Sequence, residues 1–137
     1  MQPARRTVSV AEVMTSKVRS AAPEQGLEEI WRLLREERCH HIPIVERGRP
    51  VGMISSRDLV RVAREQGLQK LSAEALGGRT AGEVMTRELQ TIHSDEPIDA
   101  AIDRIGEGRI HALVVLDDDD RLVGIVTHRD LLDHLIG

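Results

Sequence analysis

Two four-residue segments combine a hydroxyl, a guanidinium and a carboxylate at fixed spacing, Ser55-Ser56-Arg57-Asp58 and Thr127-His128-Arg129-Asp130. A Ser or Thr followed three residues later by an acid, at the entrance to an apolar-periodic stretch, closes a helix capping box. Hydroxyl and carboxylate then satisfy donors that the first turn leaves without partners. The same geometry suits an anion, because a helix start offers unpaired N–H groups and the positive end of the helix dipole, with the hydroxyl beside them. Both chemistries stay open on spacing alone. Arg57 and Arg129 neighbour the acids, and Arg38 and Arg109 precede the next apolar runs, so guanidinium groups suited to phosphate are at hand. Their abundance also reflects usage, since Lys17 and Lys70 are the only lysines among 19 basic residues.

Other reactive constellations carry less. Cys39, His40 and His41 stand together, with His111 further on, but consecutive residues of an extended strand point to opposite faces and do not converge on one ion. No metal is expected. His40 and His111 are expected near a cleft or interface, where an imidazole confers pH sensitivity. The run from Asp117 to Asp120 lacks the glycine and distal glutamate of a calcium loop and reads as a solvated turn. No nucleophile elbow or phosphate-binding P-loop is found, and Cys39 has no assigned base. The expectation is therefore that the chain is not an enzyme.

The elements that must position these groups follow from composition and period. With 137 residues, 40% apolar and 31% charged, the chain is expected to form a compact globular body. A domain of this size buries roughly 65–70% of its unfolded surface. There is no Phe and no Tyr, and Trp31 is the sole aromatic residue, so Leu, Ile, Val, Ala and Met fill the core. A net charge of −4 with one aromatic residue offers neither the basic groove nor the stacking platforms of a nucleic-acid binder. The longest apolar runs, Ala112 to Leu116 and Leu122 to Val126, fall far short of the ~20 residues that span a bilayer. Arg5 and Arg6 are followed by Ser9 and Glu12, so no signal-peptide apolar region is expected, and a single Cys39 fits a reducing compartment, the cytoplasm.

The chain is one pattern written twice. Glu12-Val13-Met14-Thr15 returns as Glu83-Val84-Met85-Thr86, 71 positions on, whereas Val51-Gly52 returns as Val123-Gly124 and Arg57-Asp58-Leu59 as Arg129-Asp130-Leu131, 72 positions on. The extra residue is expected in a turn, where Glu46-Arg47-Gly48 faces the four aspartates. Leu27, Ile30, Trp31 and Leu34 have helical spacing, repeated by Ile98, Ala101, Ile102 and Ile105. Pro23 and Pro97 sit near the helix starts, Pro97 behind a Ser94-Asp95 cap signal. Hairpins are predicted over Ile42 to Val45 with Val51 to Ile54, and over Leu113 to Leu116 with Leu122 to Val126. A last helix follows each acid, with Leu59, Val62 and Ala63 on its inner face in the first copy and Leu131, Leu132 and Leu135 in the second. Met14 and Met85 are expected to fill gaps under the first helix. Residues 64–79, ending in Gly77-Gly78, read as helix tail and linker.

This ordered double set resembles a tandem pair of cystathionine-β-synthase-type (CBS) repeats, the Bateman module, over nearly the whole chain. The marks are the two Val-Met-Thr segments, His41-Ile42-Pro43-Ile44-Val45, the Gly-Met/Ile-Ile/Val strands and the two acid-bearing segments. The resemblance implies an α+β fold of two β-α-β-β-α repeats packed about a pseudo-twofold axis, residues 1–78 holding the first with its linker and 79–137 the second. It implies a stand-alone regulatory module that senses AMP, ADP, ATP or S-adenosylmethionine in inter-repeat clefts, is a homodimer, and is read by a regulated protein of unknown identity. By the same resemblance Asp58 and Asp130 accept hydrogen bonds from the ribose diol, and Ser55 and Thr127 donate to phosphate or to its bridging oxygen, with Arg57, His128 and Arg129 in the same segments. The adenine falls to Val18, Ser20, Ile42 and Pro43 in one copy and to Leu89, Thr91 and Ala112 in the other, where Val114 replaces the proline. The competing reading is a constitutive structural or dimerisation module in which both segments act only as helix caps.

Overall fold

The structure, a computed structural model, describes residues 7–67 and 76–137. Arg5, Arg6 and the middle of the expected linker lie outside the described residues. The chain divides into two compact units, Val18–Leu89 and Met1–Lys17 with Gln90–Gly137.

The contiguous unit contains helix α2 (Leu27–Glu36), strands β1 (His41–Glu46) and β2 (Arg49–Ser55), helix α3 (Ser56–Glu65) and the short helix α4 (Ala81–Val84). Leu27, Ile30 and Leu34 form the inner stripe of α2 and pack with Ile42, Ile44 and Ile54 of the hairpin and Leu59 and Val62 of α3. Each fully buried aliphatic side chain stabilises by about 1.5–3 kcal/mol. The second unit repeats the plan with β3 (Thr91–His93), α5 (Ile98–Gly106), β4 (Ala112–Leu116), β5 (Leu122–Thr127) and α6 (His128–Ile136), preceded by the short α1 (Val10–Val13). Its core joins Val10, Ile92, Ile98, Ala101 and Ile105 to Leu113, Val115, Val126 and Leu131. β3 runs parallel to β4, and β4 antiparallel to β5. In the contiguous unit the counterpart of β3 contracts to a single parallel bridge, Ala21 with Ile44. Val18 and Ser20 therefore precede a bridge rather than lie in a strand, and Leu89 lies ahead of β3.

The two hairpin loops account for the inserted residue. Arg47 and Gly48, with φ of 55° and 81°, form a two-residue loop with left-handed residues at both central positions, which matches the twist of the flanking strands. In the second hairpin Asp117 N–H donates to the Arg121 carbonyl (2.9 Å), so three residues fill the loop, the last being Asp120 at φ 60°. Asp117 Oδ1 accepts from the backbone N–H groups of Asp119 (2.8 Å) and Arg121 (3.0 Å), so the aspartate run is a turn braced by its own side chain.

The copies exchange their opening segments. Val10 and Ala11 donate to the carbonyls of Glu96 and Ser94, and Ile98 N–H at the start of α5 donates to Val8. The first copy is matched bond for bond, since Ala81 and Gly82 donate to Gln25 and Pro23, and Leu27 N–H at the start of α2 donates to Arg79. These bonds serve donors that helix starts leave unpaired. The helix caps are Gly26 and Pro97, so Ser94 and Asp95 belong to the preceding turn and do not cap α5. Further on, Thr15 forms reciprocal backbone bonds with Ile125, and Thr86 with Met53. Met85 thereby lies on Gly52 and Met14 on Gly124, against a strand glycine rather than under the first helix.

One expected face is not buried. Leu131 is, but Leu132 and Leu135 are 45% and 59% exposed, as is Ile136 at 80%, because α6 meets its unit along the Leu131 side alone. Among the described residues no helix is long and apolar enough to cross a membrane.

A Cβ at Gly124 would stand 2.5 Å from the Met14 sulfur and 2.9 Å from the Thr15 carbonyl oxygen, whereas the three atoms nearest one at Gly52 all belong to the Met85 side chain. Gly124→Ala is expected to cost about 1–3 kcal/mol of stability, and Gly52→Ala less, because a methionine repacks more readily than backbone. Urea denaturation of the two variants checks this, and a larger loss at Gly52 contradicts it.

Candidate functional site

The site residues gather where a strand ends and a helix begins. Ser55 closes β2 in extended conformation (φ −111°, ψ 166°) and caps α3, so Asp58 falls at the third helical position. Asp58 Oδ2 accepts from the Ser55 backbone N–H (2.7 Å) and hydroxyl (3.1 Å), completing a capping box. Its other oxygen lies 3.2 Å from Nη2 of Arg61, whose guanidinium also donates to the Val84 carbonyl. Asp58 is only 7% exposed, and a carboxylate so withdrawn from water needs this many donors. Arg61 continues toward Glu65 (3.9 Å), which faces Arg79 (3.9 Å).

The second unit builds the same cap and finishes it differently. Asp130 Oδ2 accepts from the Thr127 N–H (2.9 Å) and hydroxyl (3.2 Å). Its Oδ1 accepts from the hydroxyl of Thr15, 2.8 Å away and 115 residues earlier in the chain. The position matching Arg61 is Asp133, which faces Arg129 at 3.4 Å on the exposed side of α6. One carboxylate is thus held by a cation of its own helix, the other by a neutral hydroxyl delivered by the exchanged segment.

Strand register sorts the remaining sequence-predicted residues. Pro43 pairs with Met53 and His41 with Ser55, on the sheet face opposite the core that Ile42, Ile44 and Ile54 enter. In the second unit Thr91 pairs with Val114 and Ala112 with Thr127, again opposite the core face of Ile92, Leu113 and Val115. Pro43 with Ser55, and Thr91 and Ala112 with Thr127, therefore share the face on which the capping hydroxyl stands. Ile42 does not share it, being fully buried on the other side. Ser20 is exposed, and Val18 and Leu89 are half-buried. Arg57, His128 and Arg129 are exposed at their helix starts. Sequence reasoning missed Thr15, Arg61, His41 and Met53. The period of two counted back from Ser55 identifies Met53, the same period counted back from Pro43 identifies His41, and the i, i+3 spacing from Asp58 identifies Arg61.

Cys39 lies half-buried beside the first core, where burial chiefly pushes its thiol up from the ordinary range, a poor setting for a nucleophile. Among the described residues no three His, Cys, Asp or Glu side chains group to hold a metal ion.

The family model for the CBS domain matches residues 10–65 and again 81–137. The chain belongs to the CBS domain family. It is a CBS pair with an α+β fold, and the solved CBS domain pair of protein MJ0100 in complex with 5′-methylthioadenosine and S-adenosyl-L-methionine is similar to it. That likeness has a TM-score of 0.76 and 30% identity over 96% of this chain and 98% of the other. CBSX2 from Arabidopsis thaliana has the same fold, with a TM-score of 0.82, 23% identity, and 96% of each chain covered. CBS domain-containing protein YhcV of Bacillus subtilis is 30% identical over 90% of this chain and 82% of its own length. A homoserine O-acetyltransferase of Methanococcoides burtonii is 35% identical over 94% of this chain, which spans only 24% of that protein. The chain likewise spans 22% of an L-aspartate semialdehyde sulfurtransferase of Methanocaldococcus jannaschii.

The unequal second oxygens have measurable consequences. Thr15→Val removes the donor to Asp130 and is expected to cost about 0.5–1.5 kcal/mol, whereas Thr86→Val, at the matching position on the other unit, is expected to stay within about 0.5 kcal/mol of the parent. Urea titrations compare them, and equal losses count against the assignment. Beyond a cap component of about 0.5–2 kcal/mol in each, Asp58→Ala is expected to cost more than Asp130→Ala in the same titrations, because it strips a guanidinium of its partner rather than the Thr15 hydroxyl of its acceptor.

Proposed function

We propose that this CBS pair is a regulatory, non-catalytic module that binds an adenosine-containing ligand at its two acid-headed helix starts and passes occupancy on to a partner protein. The observation that carries the reading is the pair of carboxylates at the third position of α3 and α6, each anchored by one oxygen so that the other is presented in a fixed direction. The 30% identical MJ0100 pair, whose complex contains 5′-methylthioadenosine and S-adenosyl-L-methionine, supports the ligand class.

In this reading Asp58 and Asp130 accept from the 2′ and 3′ hydroxyls of ribose. Ser55 and Thr127 rotate their hydroxyls toward the 5′ substituent, at the positive end of each helix dipole. Arg57 at one start, and His128 and Arg129 at the other, flank the 5′ substituent from solvent. The adenine rests against Val18, Ser20 and Pro43 with the Ile42 backbone in the first copy, and against Leu89, Thr91 and Ala112 in the second. Ribose arriving at Asp130 Oδ1 meets the hydroxyl of Thr15, so occupancy at that site acts on the docking of the opening segment. A ligand shifts the arrangement by no more than its difference in affinity for the two states. The apolar side chains that α6 leaves exposed supply a surface for a second copy of the chain. Its place in this reading is the cytoplasm.

One observation favours the rival reading of a ligand-free structural module: both capping boxes are complete and both second oxygens already have donors. Thermal unfolding with AMP, ATP, 5′-methylthioadenosine and S-adenosylmethionine decides between them. A ligand at 100 times its dissociation constant is expected to add about 2.7 kcal/mol, several degrees for a domain of this size. The absence of a shift with all four, together with no adenosine compound by mass spectrometry of the denatured purified protein, would leave the structural reading standing.

A further inference from the structure

The two helix starts are copies in backbone and opposites in charge. Over the first two turns of α3, residues 56–62, two arginines stand against one aspartate, whereas residues 128–134 of α6 carry one arginine against two aspartates. The difference is concentrated at one pair of matching positions, Arg61 and Asp133. Arg61 lies 3.2 Å from the buried carboxylate of Asp58, and the Glu65 and Arg79 beyond it offset one another. Asp133 instead draws Arg129 away along the helix, at 3.4 Å.

We propose that the two sites divide adenosine ligands by the charge of the 5′ substituent: the Asp58 site takes a phosphate-bearing adenosine, the Asp130 site an adenosine whose 5′ substituent is neutral or cationic. The proposal rests on the ligand-binding reading above and assigns Arg61 as the residue that sets the preference. When a ribose diol takes Asp58 Oδ1, the half-exposed Arg61 side chain turns from carboxylate to phosphate, so the nucleotide replaces one anionic partner of the guanidinium with another. A neutral 5′ group leaves Arg61 without that second partner. At Asp130 the displaced group is only the Thr15 hydroxyl, which water serves equally well, and no guanidinium is released toward the 5′ end. Asp133 there repels phosphate and attracts a sulfonium. Charges separated by one helical turn at a partly solvated surface are worth about tenfold in affinity.

Isothermal titration calorimetry of the full chain with AMP and with uncharged 5′-methylthioadenosine tests this. The parent protein is expected to bind AMP with an affinity that Asp58→Asn abolishes and Asp130→Asn leaves in place, and 5′-methylthioadenosine with the reverse pattern. Arg61→Gln is expected to weaken AMP about tenfold while 5′-methylthioadenosine changes less than twofold. Arg61→Lys is expected to retain most of the AMP affinity. Because Arg61→Gln also loosens Asp58, the exposed Asp133→Arg serves as the second variant and is expected to add AMP binding at the Asp130 site. Equal losses of both ligands in Arg61→Gln, or no gain of AMP in Asp133→Arg, overturn the charge division and leave ligand binding intact. A parent protein that binds neither ligand overturns the underlying reading as well.

Discussion

Met85 on Gly52, and Met14 on Gly124, are contacts in which a long polarisable side chain lies directly on backbone that carries no Cβ. Only glycine lets the two approach so closely, and the approach brings Thr86 and Thr15 within hydrogen-bonding reach of β2 and β5. Once that pairing is made, the rest of each opening segment lies along the entry to a long helix, where its carbonyls receive the first N–H groups of α2 and α5. Neither helix starts at a residue whose side chain caps it, so both depend on these borrowed acceptors. The core stripes of Leu27, Ile30 and Leu34, and of Ile98, Ala101 and Ile105, are fixed in turn by helices anchored in this way.

The acid-headed helix starts show how one geometry serves stability and recognition together. A carboxylate at the third helical position spends one oxygen on the cap, which fixes its direction, and the other is left to whatever the surroundings supply. Around Asp58 the surroundings are dry and supply a guanidinium; around Asp130 they are more open and supply a hydroxyl. Duplication preserved the half of the interaction that helix formation requires and let the other half diverge. A buried charge tolerates a change of partner but not the loss of one.

Much of this was legible in the sequence, since the offset between copies, the helix stripes and both hairpins follow from spacing, and the one-residue change of offset identified the turn that absorbs it. What escaped was decided by contacts over long separations or by the lack of a partner. Helical period marks Leu132 and Leu135 as capable of burial, but burial needs a surface to cover them, and α6 meets its unit only through Leu131 and the residues beside it. Met14 and Met85 were recognised as packing residues, yet their target is a glycine far away in the chain, which no local pattern encodes. Ile42 was expected beside a base, and strand alternation turns it into the core while bringing His41 and Pro43 to the other face. The hydroxyl on Asp130 comes from the other copy's opening segment, and nothing near Asp130 announces it.

The exchange also orders events in time. Residues 18–89 contain every partner needed to close one unit, so a ribosome releasing the chain can complete that unit while the other is still unmade. The segment around Thr15 is synthesised earlier yet has nowhere to dock until β5 and Asp130 exist, 115 residues later for the hydroxyl bond. Until then it is a loose segment with Val10, Val13 and Met14 uncovered, and closure of the first unit shortens the effective loop it must span by holding residues 18 and 89 in one folded body.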